Sequence, residues 1–182
     1  MILRIAFVAF LALPLFAAPA LAVDPALDGL FNRLVETTDR QEAARVEAAI
    51  NRSLARSGSA TADLLLERGT TAMNKGDYDA ALDAFNKVIT LAPDFVEGWN
   101  HRATLYFLMG RLNASIDDIN RTLALEPRHF GALAGLGQIY IILGRPADAT
   151  KAFQRALAAD PYLASARQFL EALKKQAGEV AL

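Results

Sequence analysis

Cysteine is missing altogether from the 182 residues. Its absence excludes disulfides, thiolate metal ligands, a cysteine nucleophile and a lipid attached to a cysteine, so packing alone has to hold the fold. Histidine is almost as scarce: His101 and His129 are the only two, and neither has another His or a Cys at ligand spacing. No metal or cofactor site is expected. An excess of one charge is lacking too. The 19 Lys+Arg and 20 Asp+Glu give a formal net charge of -1, which provides no overall field to gather nucleic acid or an anionic membrane. A bilayer-spanning run is also absent: Ile5 to Ala22 is 18 residues long and holds Pro14 and Pro19, short of the ~20 apolar residues a spanning helix needs.

What the first residues do carry is the pattern of an export address. Arg4 is the only charge before Asp24, Ile5 to Phe16 is apolar apart from Pro14, and Ala20-Leu21-Ala22 supplies the small residues a signal peptidase requires. The expectation is a signal peptide over 1–22, a mature chain beginning at Val23, and an exported protein, periplasmic if the source is Gram-negative and otherwise secreted. The alternative is an uncleaved segment that holds the chain at a membrane, the one circumstance in which a membrane partner is expected.

Beyond it the chain repeats itself every 34 residues. Pro93, Pro127 and Pro161 share that step, as do Gly76, Gly110 and Gly144; Gly69, Ala103 and Gly137; and Ala81, Ser115 and Ala149. Each class has a physical task in a pair of antiparallel helices. The prolines exclude the helical conformation from Ala92, Glu126 and Asp160 and so end each second helix. Gly76, Gly110 and Gly144 turn the chain between the helices. Gly69, Ala103 and Gly137 let the second helix approach the first closely, against the small residues Ala81, Ser115 and Ala149. Larger residues recur between them: Leu65, Trp99 and Leu133; Phe85, Ile119 and Phe153.

This pattern resembles the tetratricopeptide repeat. The residues that carry the resemblance are Trp99, Leu136-Gly137, Tyr106, Tyr140, the three turn glycines, Ala81, Ala149, Phe85, Phe153, Ala156 and the three prolines. Arg68 and Arg102, where that family usually has Leu, depart from it, as do Ser115, Ile119 and Thr122. The resemblance implies an all-α, right-handed superhelical solenoid of antiparallel helix pairs, with repeats at 62–95, 96–129 and 130–163. Residues 164–182 form a C-terminal capping helix, on the apolar stripe Leu163, Ala166, Phe169, Leu170 and Leu173. Residues 23–58 read as an N-terminal helix pair, a divergent repeat or a cap. Asp24-Pro25 opens its first helix, and Asp39 with Glu42 resembles a capping box that starts the second. Nine helices are expected.

In the resembled family the first helix of each repeat lines an inner groove that holds a peptide or a partner protein. Carried onto this register, the groove residues are Leu66, Thr70, Met73 and Asn74; Asn100, His101, Thr104 and Phe107; and Gly131, Ala134, Gly135, Gln138 and Ile141. Some co-chaperone members clamp an acidic C-terminus with Lys, Asn and Arg. Leu66, Thr70, His101, Gly131 and Gly135 occupy the matching places, so that clamp is absent. Met73, Phe107, Ile141 and Ile142 read either as groove or as packing between repeats. Gly131 and Gly135 stand one turn apart, each costing the helix about 0.8 to 1 kcal/mol relative to Ala, and imply that something approaches closely there. The resemblance implies a scaffold that binds a protein or peptide, in assembly or organisation of an envelope complex. A membrane-anchored assembly module and a self-associating homo-oligomer are the rival readings.

Catalytic motifs do not emerge. Gly135-Leu136-Gly137-Gln138 has no preceding strand and lacks the third glycine of a dinucleotide fingerprint, and Ser57-Gly58-Ser59 reads as a flexible breaker. Asn51-Arg52-Ser53, Asn113-Ala114-Ser115 and Asn120-Arg121-Thr122 match a glycosylation acceptor pattern that chance meets easily, and Asp117-Asp118 reads as helix surface. Neither an enzyme, a cofactor, a nucleic acid nor a small-molecule substrate is expected.

Overall fold

A computed structural model describes residues 24–180; the predicted signal segment lies outside them. Among the described residues there are nine α-helices and no strand: α1 Pro25–Glu36, α2 Arg40–Leu54, α3 Ala60–Asn74, α4 Tyr78–Leu91, α5 Val96–Leu108, α6 Leu112–Leu125, α7 Phe130–Ile142, α8 Pro146–Ala159 and α9 Ala164–Val180. The helices α3–α4, α5–α6 and α7–α8 pack as antiparallel pairs, and α4 on α5, α6 on α7 and α8 on α9 stack one pair on the next. The all-helical solenoid of helix pairs that the resemblance implies is the fold.

The recurring residues do the work assigned to them. Gly76, Gly110 and Gly144 have φ of 79°, 70° and 67°, the left-handed conformation that ends a first helix and reverses the chain. A Cβ added to Gly69 would lie 2.5 Å from Phe85 Cε1, and one on Gly137 would lie 2.7 Å from the Phe153 ring, so an aromatic of the second helix fills each vacancy. Both rings are fully buried. In the middle repeat Ala103 faces Ser115, whose hydroxyl donates to the Ala103 carbonyl at 2.7 Å.

The departure at Arg102 has a partner. Its Nε and Nη2 donate to the two oxygens of buried Asp118 at 2.7 and 2.8 Å, Nη1 donates to Asn86 of the preceding repeat, and the guanidinium lies over Trp99 and Tyr106. The places equivalent to Asp118 hold Ala84 and Ala152, so arginine and aspartate enter this repeat together. Arg68, which has Ala84 where Arg102 has Asp118, is exposed on the open face of the first repeat.

The N-terminal pair packs on itself and reaches α8, without the stacking on α3 that joins one repeat to the next. Its core of Phe31, Leu34, Ala43, Val46, Ile50 and Leu54 packs against Val96, Phe130 and Tyr162, which lie at the turns between successive repeats. The hairpin therefore lies along the turn edge of the solenoid and reaches the turn between α8 and α9. Arg128 bonds Asp28 and stacks its guanidinium 4.3 Å over Phe31, and the Tyr162 hydroxyl donates to the Thr37 carbonyl at 2.7 Å. Asp24 caps α1 as expected, and Val35 is exposed while Phe31 and Leu34 are buried. The reciprocal capping box does not form. Asp39 accepts from the Gln41 amide, whereas Glu42 turns away to Arg33 Nε at 2.6 Å and the Thr37 hydroxyl at 3.0 Å, and ties α2 to α1.

Candidate binding groove

Between α5 and α7 the inner face opens into a cavity of about 300 Å³. Asn100, Thr104, Phe107 and Leu108 form the α5 wall, Gly131, Ala134, Gly135 and Gln138 the α7 wall, and Ala103, Ser115, Ile119, Ala132 and Ile139 the floor. None of the thirteen carries a charge.

The cavity exists because α7 is stripped of side chains on this side. Position 135 corresponds to His101 and Glu67 in the other repeats, and position 131 to Glu97 and Asp63. Neither glycine is required by the protein's own packing. A Cβ on Gly135 would meet only Ile119 Cδ1, at 3.9 Å, and one on Gly131 would meet the His129 ring at 3.4 Å; Gly69 and Gly137 have no such room. Two polar side chains face the opening. Asn100 donates to Glu97 Oε2 at 2.8 Å, and neither its carbonyl oxygen nor the half-buried Gln138 amide makes a hydrogen bond among the described residues.

Below the α5 wall lies a buried ionisable cluster. Glu97 is buried between His129, whose Nε2 is 3.1 Å from Oε1, and His101, whose Nδ1 is 3.2 Å from Oε2 and 2.9 Å from the Glu97 carbonyl. His129 Nδ1 accepts from the Ala132 amide and so caps α7, which leaves the proton on Nε2 facing the carboxylate. Burial alone would raise the Glu97 pKa, but the hydrogen bonds and charges of the two histidines outweigh it and hold the carboxyl well below its ordinary range. For His101, burial favours the neutral ring and Glu97 overrides it, so its pKa is raised. Through the His129 cap the cluster ties α5 to the start of α7 behind Asn100.

Of the thirteen groove residues read from the sequence, Asn100, Thr104, Phe107, Gly131, Ala134, Gly135 and Gln138 come together at this cavity. Leu66 does not face the groove. It is buried in the core with Phe85, Val88 and Leu105, because repeat 1 packs it under α5. Met73 packs on the same core, and Thr70 bonds back to the Leu66 carbonyl. His101 turns to Glu97 and to the Phe85 ring instead of the opening. Asn74 is exposed at the end of α3, and Ile141 is exposed beyond the far rim of the cavity. Phe107 serves both purposes, lining the opening while packing on the core of Ala103, Ile119 and Leu136. The floor residues Ser115 and Ile119 were legible only as packing positions of the repeat.

Among the described residues no group of three His, Cys, Asp or Glu is placed to hold a metal ion, and no helix is long and apolar enough to cross a membrane. Family models described as the tetratricopeptide repeat match residues 62–95 and 100–164. A TPR repeat-containing protein of Rhizobium etli is 40% identical over 84 residues, which is 46% of this chain and 41% of that protein, so the chain spans well under half the length of that relative. Among solved structures, the first TPR of Spaghetti bound to the HSP90 peptide SRMEEVD superposes with a TM-score of 0.62 at 25% identity, covering 66% of this chain and 95% of that one. The MamA protein superposes with a TM-score of 0.58 at 27% identity, covering 65% of each chain. The Sgt2 TPR domain from Aspergillus fumigatus shares the fold with a TM-score of 0.63 at 21% identity, over 68% of this chain and 83% of that one.

Proposed function

Since the chain carries tetratricopeptide repeats from residue 62 to residue 164, we propose that it is a non-catalytic scaffold that holds an extended or helical segment of a partner protein in the groove between α5 and α7. One observation carries this reading: Gly131 and Gly135 leave an open, uncharged cavity that the protein's own packing does not need. Glycine in a helix interior is destabilising, so its use at position 135 of α7, without an internal contact to explain it, points to a ligand.

The lining sets the ligand's chemistry. A cavity of about 300 Å³ with Phe107, Leu108, Ile119 and Ile139 around it suits one large apolar side chain, and the Asn100 and Gln138 carboxamides suit the donors and acceptors of a peptide main chain. The peptide seen on Spaghetti carries two glutamates and an aspartate. Here no cation lines the cavity, so an acidic terminus is not the anchor. Export behind a cleaved leader, and a role in organising an envelope complex, complete the reading. They rest on Arg4, the apolar run and Ala20-Leu21-Ala22, and intact mass of exported protein beginning at Val23 is the expected result. A mass that retains residues 1–22 would favour the anchored form.

The binding test pairs affinity with stability. Panning a random peptide display library on the wild type is expected to select sequences with a large apolar residue and few acidic ones. Gly135→Arg should lose those peptides at an unchanged melting temperature, whereas Gly135→Ala should bind more weakly and melt no lower. Retention of the selected peptides by a normally stable Gly135→Arg would remove this groove as the binding site. Concentration-dependent light scattering would expose self-association through the exposed apolar residues Leu108, Ile142 and Leu143.

A further inference from the structure

An α-helix begins with amides that have no partner inside the helix, and α7 meets that need with an imidazole. The Nδ1 of buried His129 accepts from the Ala132 amide at 3.1 Å. In the same place of the preceding repeat Phe95 caps α5 without any side-chain bond, so the repeat does not demand a histidine here. The cap of α3 is the Ser59 hydroxyl, which does not titrate. Because an amide can only donate, Nδ1 of His129 holds a lone pair, and the ring is neutral with its proton on Nε2, 3.1 Å from Glu97 Oε1. A second proton has only Nδ1 to go to. There it would set two donors against each other, so the charged ring has to give up the Ala132 amide.

His101 offers the contrast. Its Nδ1 donates to the Glu97 carbonyl at 2.9 Å in either charge state, and a proton gained on Nε2 leaves that bond intact. The capped residue, moreover, belongs to the groove. Ala132 lies in the floor of the cavity and Gly131 in its wall, where an added Cβ would stand 3.4 Å from His129 Cε1 and 3.6 Å from Nδ1. Glu97, the other partner of the ring, accepts from Asn100 of the opposite wall. One imidazole thus bridges the two walls at the end where α5 and α7 begin. We propose, resting on the reading that this groove holds the ligand, that His129 is an acid-released clasp: the neutral ring caps α7 and holds the walls in register, and the protonated ring frees the Ala132 amide and weakens binding.

The titrating and charged groups around the ring are Glu97 and His101 of α5, Glu126 and Arg128 of its own turn, and Asp28 of α1, which Arg128 bonds; α4 contributes the Phe85 ring, against His101. Burial works against the ionised Glu97, but the two imidazoles outweigh it and hold the carboxyl below its ordinary range, so it stays ionised in mild acid. Burial likewise works against a charged His101, Glu97 overrides it, and that ring takes its proton without disturbing the cap. What mild acid does to the cap therefore belongs to His129. Ligand binding and proton binding at His129 oppose each other.

Nitrogen NMR on the full chain tests the clasp without any ligand. From about pH 8 to about pH 5, the span over which imidazole side chains change charge, the His129 Nδ1 signal should move from that of an acceptor to that of a protonated nitrogen, and the Ala132 amide should lose its hydrogen-bonded shift with the same midpoint. Amides of α8 should not follow. A peptide selected by panning at the alkaline end should bind several-fold more weakly at the acid end. His129→Asn, which keeps a capping acceptor that does not titrate, should flatten both curves, and His101→Gln should leave the Ala132 response in place. An Ala132 amide that stays bonded while His129 gains its proton overturns the clasp, as does a response that survives His129→Asn or vanishes with His101→Gln. Should His129→Asn not fold, the coincidence of the two midpoints in the wild type decides. Peptide binding that ignores pH while the Ala132 amide responds overturns the coupling to the groove, whereas a selected peptide that Gly135→Arg retains overturns the groove itself.

Discussion

Asp118→Ala removes the carboxylate that receives two hydrogen bonds from Arg102 and leaves the guanidinium under the protein's own cover. Breaking a buried pair by deleting one partner typically costs 3–5 kcal/mol. Here the Arg102 side chain is 17% exposed and keeps its bond to Asn86 and its two aromatic rings, which places the expected loss near the lower end, about 3 kcal/mol. Arg102→Leu alone should cost a similar amount, because Asp118 is then the buried charge without a partner. Making both changes installs the pair that the third repeat already uses, Leu136 with Ala152, both of them buried. Replacing a buried ion pair by apolar residues is often neutral or stabilising by 1–4 kcal/mol, so the double variant should recover most of either single loss. Urea unfolding followed by far-UV circular dichroism on the four proteins measures the cycle. A double variant as unstable as Asp118→Ala would refute the reasoning, since it would mean that the repeat needs the aspartate for something other than Arg102.

Other outcomes follow from the glycines and the histidines. Gly137→Ala places a Cβ 2.7 Å from the Phe153 ring and should lower stability by typically 1–3 kcal/mol, whereas Gly135→Ala, with only an ordinary contact to Ile119, should raise it by about 0.4–1 kcal/mol; thermal melts of the two separate a packing glycine from an open one. The raised pKa of His101 means that its contribution is fully present below the ordinary histidine value and disappears as pH rises through the raised one, while Glu97 is already ionised. His101→Gln should therefore depress the melting temperature most at mildly acidic pH and converge on the wild type in alkali. A depression that is the same at every pH would show that the imidazole is there for its shape and not its charge.

The repeats were legible because their physics is local and recurs. A proline that stops a helix, a glycine that must turn left-handed and a small residue under an aromatic each leave a mark at a fixed step, and three copies of each mark agree. Seven positions that line the cavity were legible for the same reason, since the register says which side of α5 and α7 faces inward. Leu66 was misplaced because the inner face of the first repeat is covered where α5 stacks, and the register does not record coverage. Arg102 looked like a defect because its partner Asp118 is sixteen residues away on another helix. The route of the N-terminal hairpin was illegible altogether: its contacts with Arg128, Phe130 and Tyr162 join segments about a hundred residues apart, and no period or cap announces them.

That route changes how the chain can fold and unfold. A stack of repeats touching only its neighbours behaves almost as a one-dimensional array, in which nucleation anywhere can spread and the ends fray independently. Here Asp28 meets Arg128 and Thr37 meets Tyr162, so α1 and α2, made before the repeats they contact, are among the last helices to find their places. They wait for the third repeat to exist, and loop closure over that distance comes after the local helix pairs have formed. Once closed, the hairpin ties the early repeats to the late ones. Fraying at either end then has to break contacts at the other, and an array that would melt piecemeal becomes one that opens as a unit.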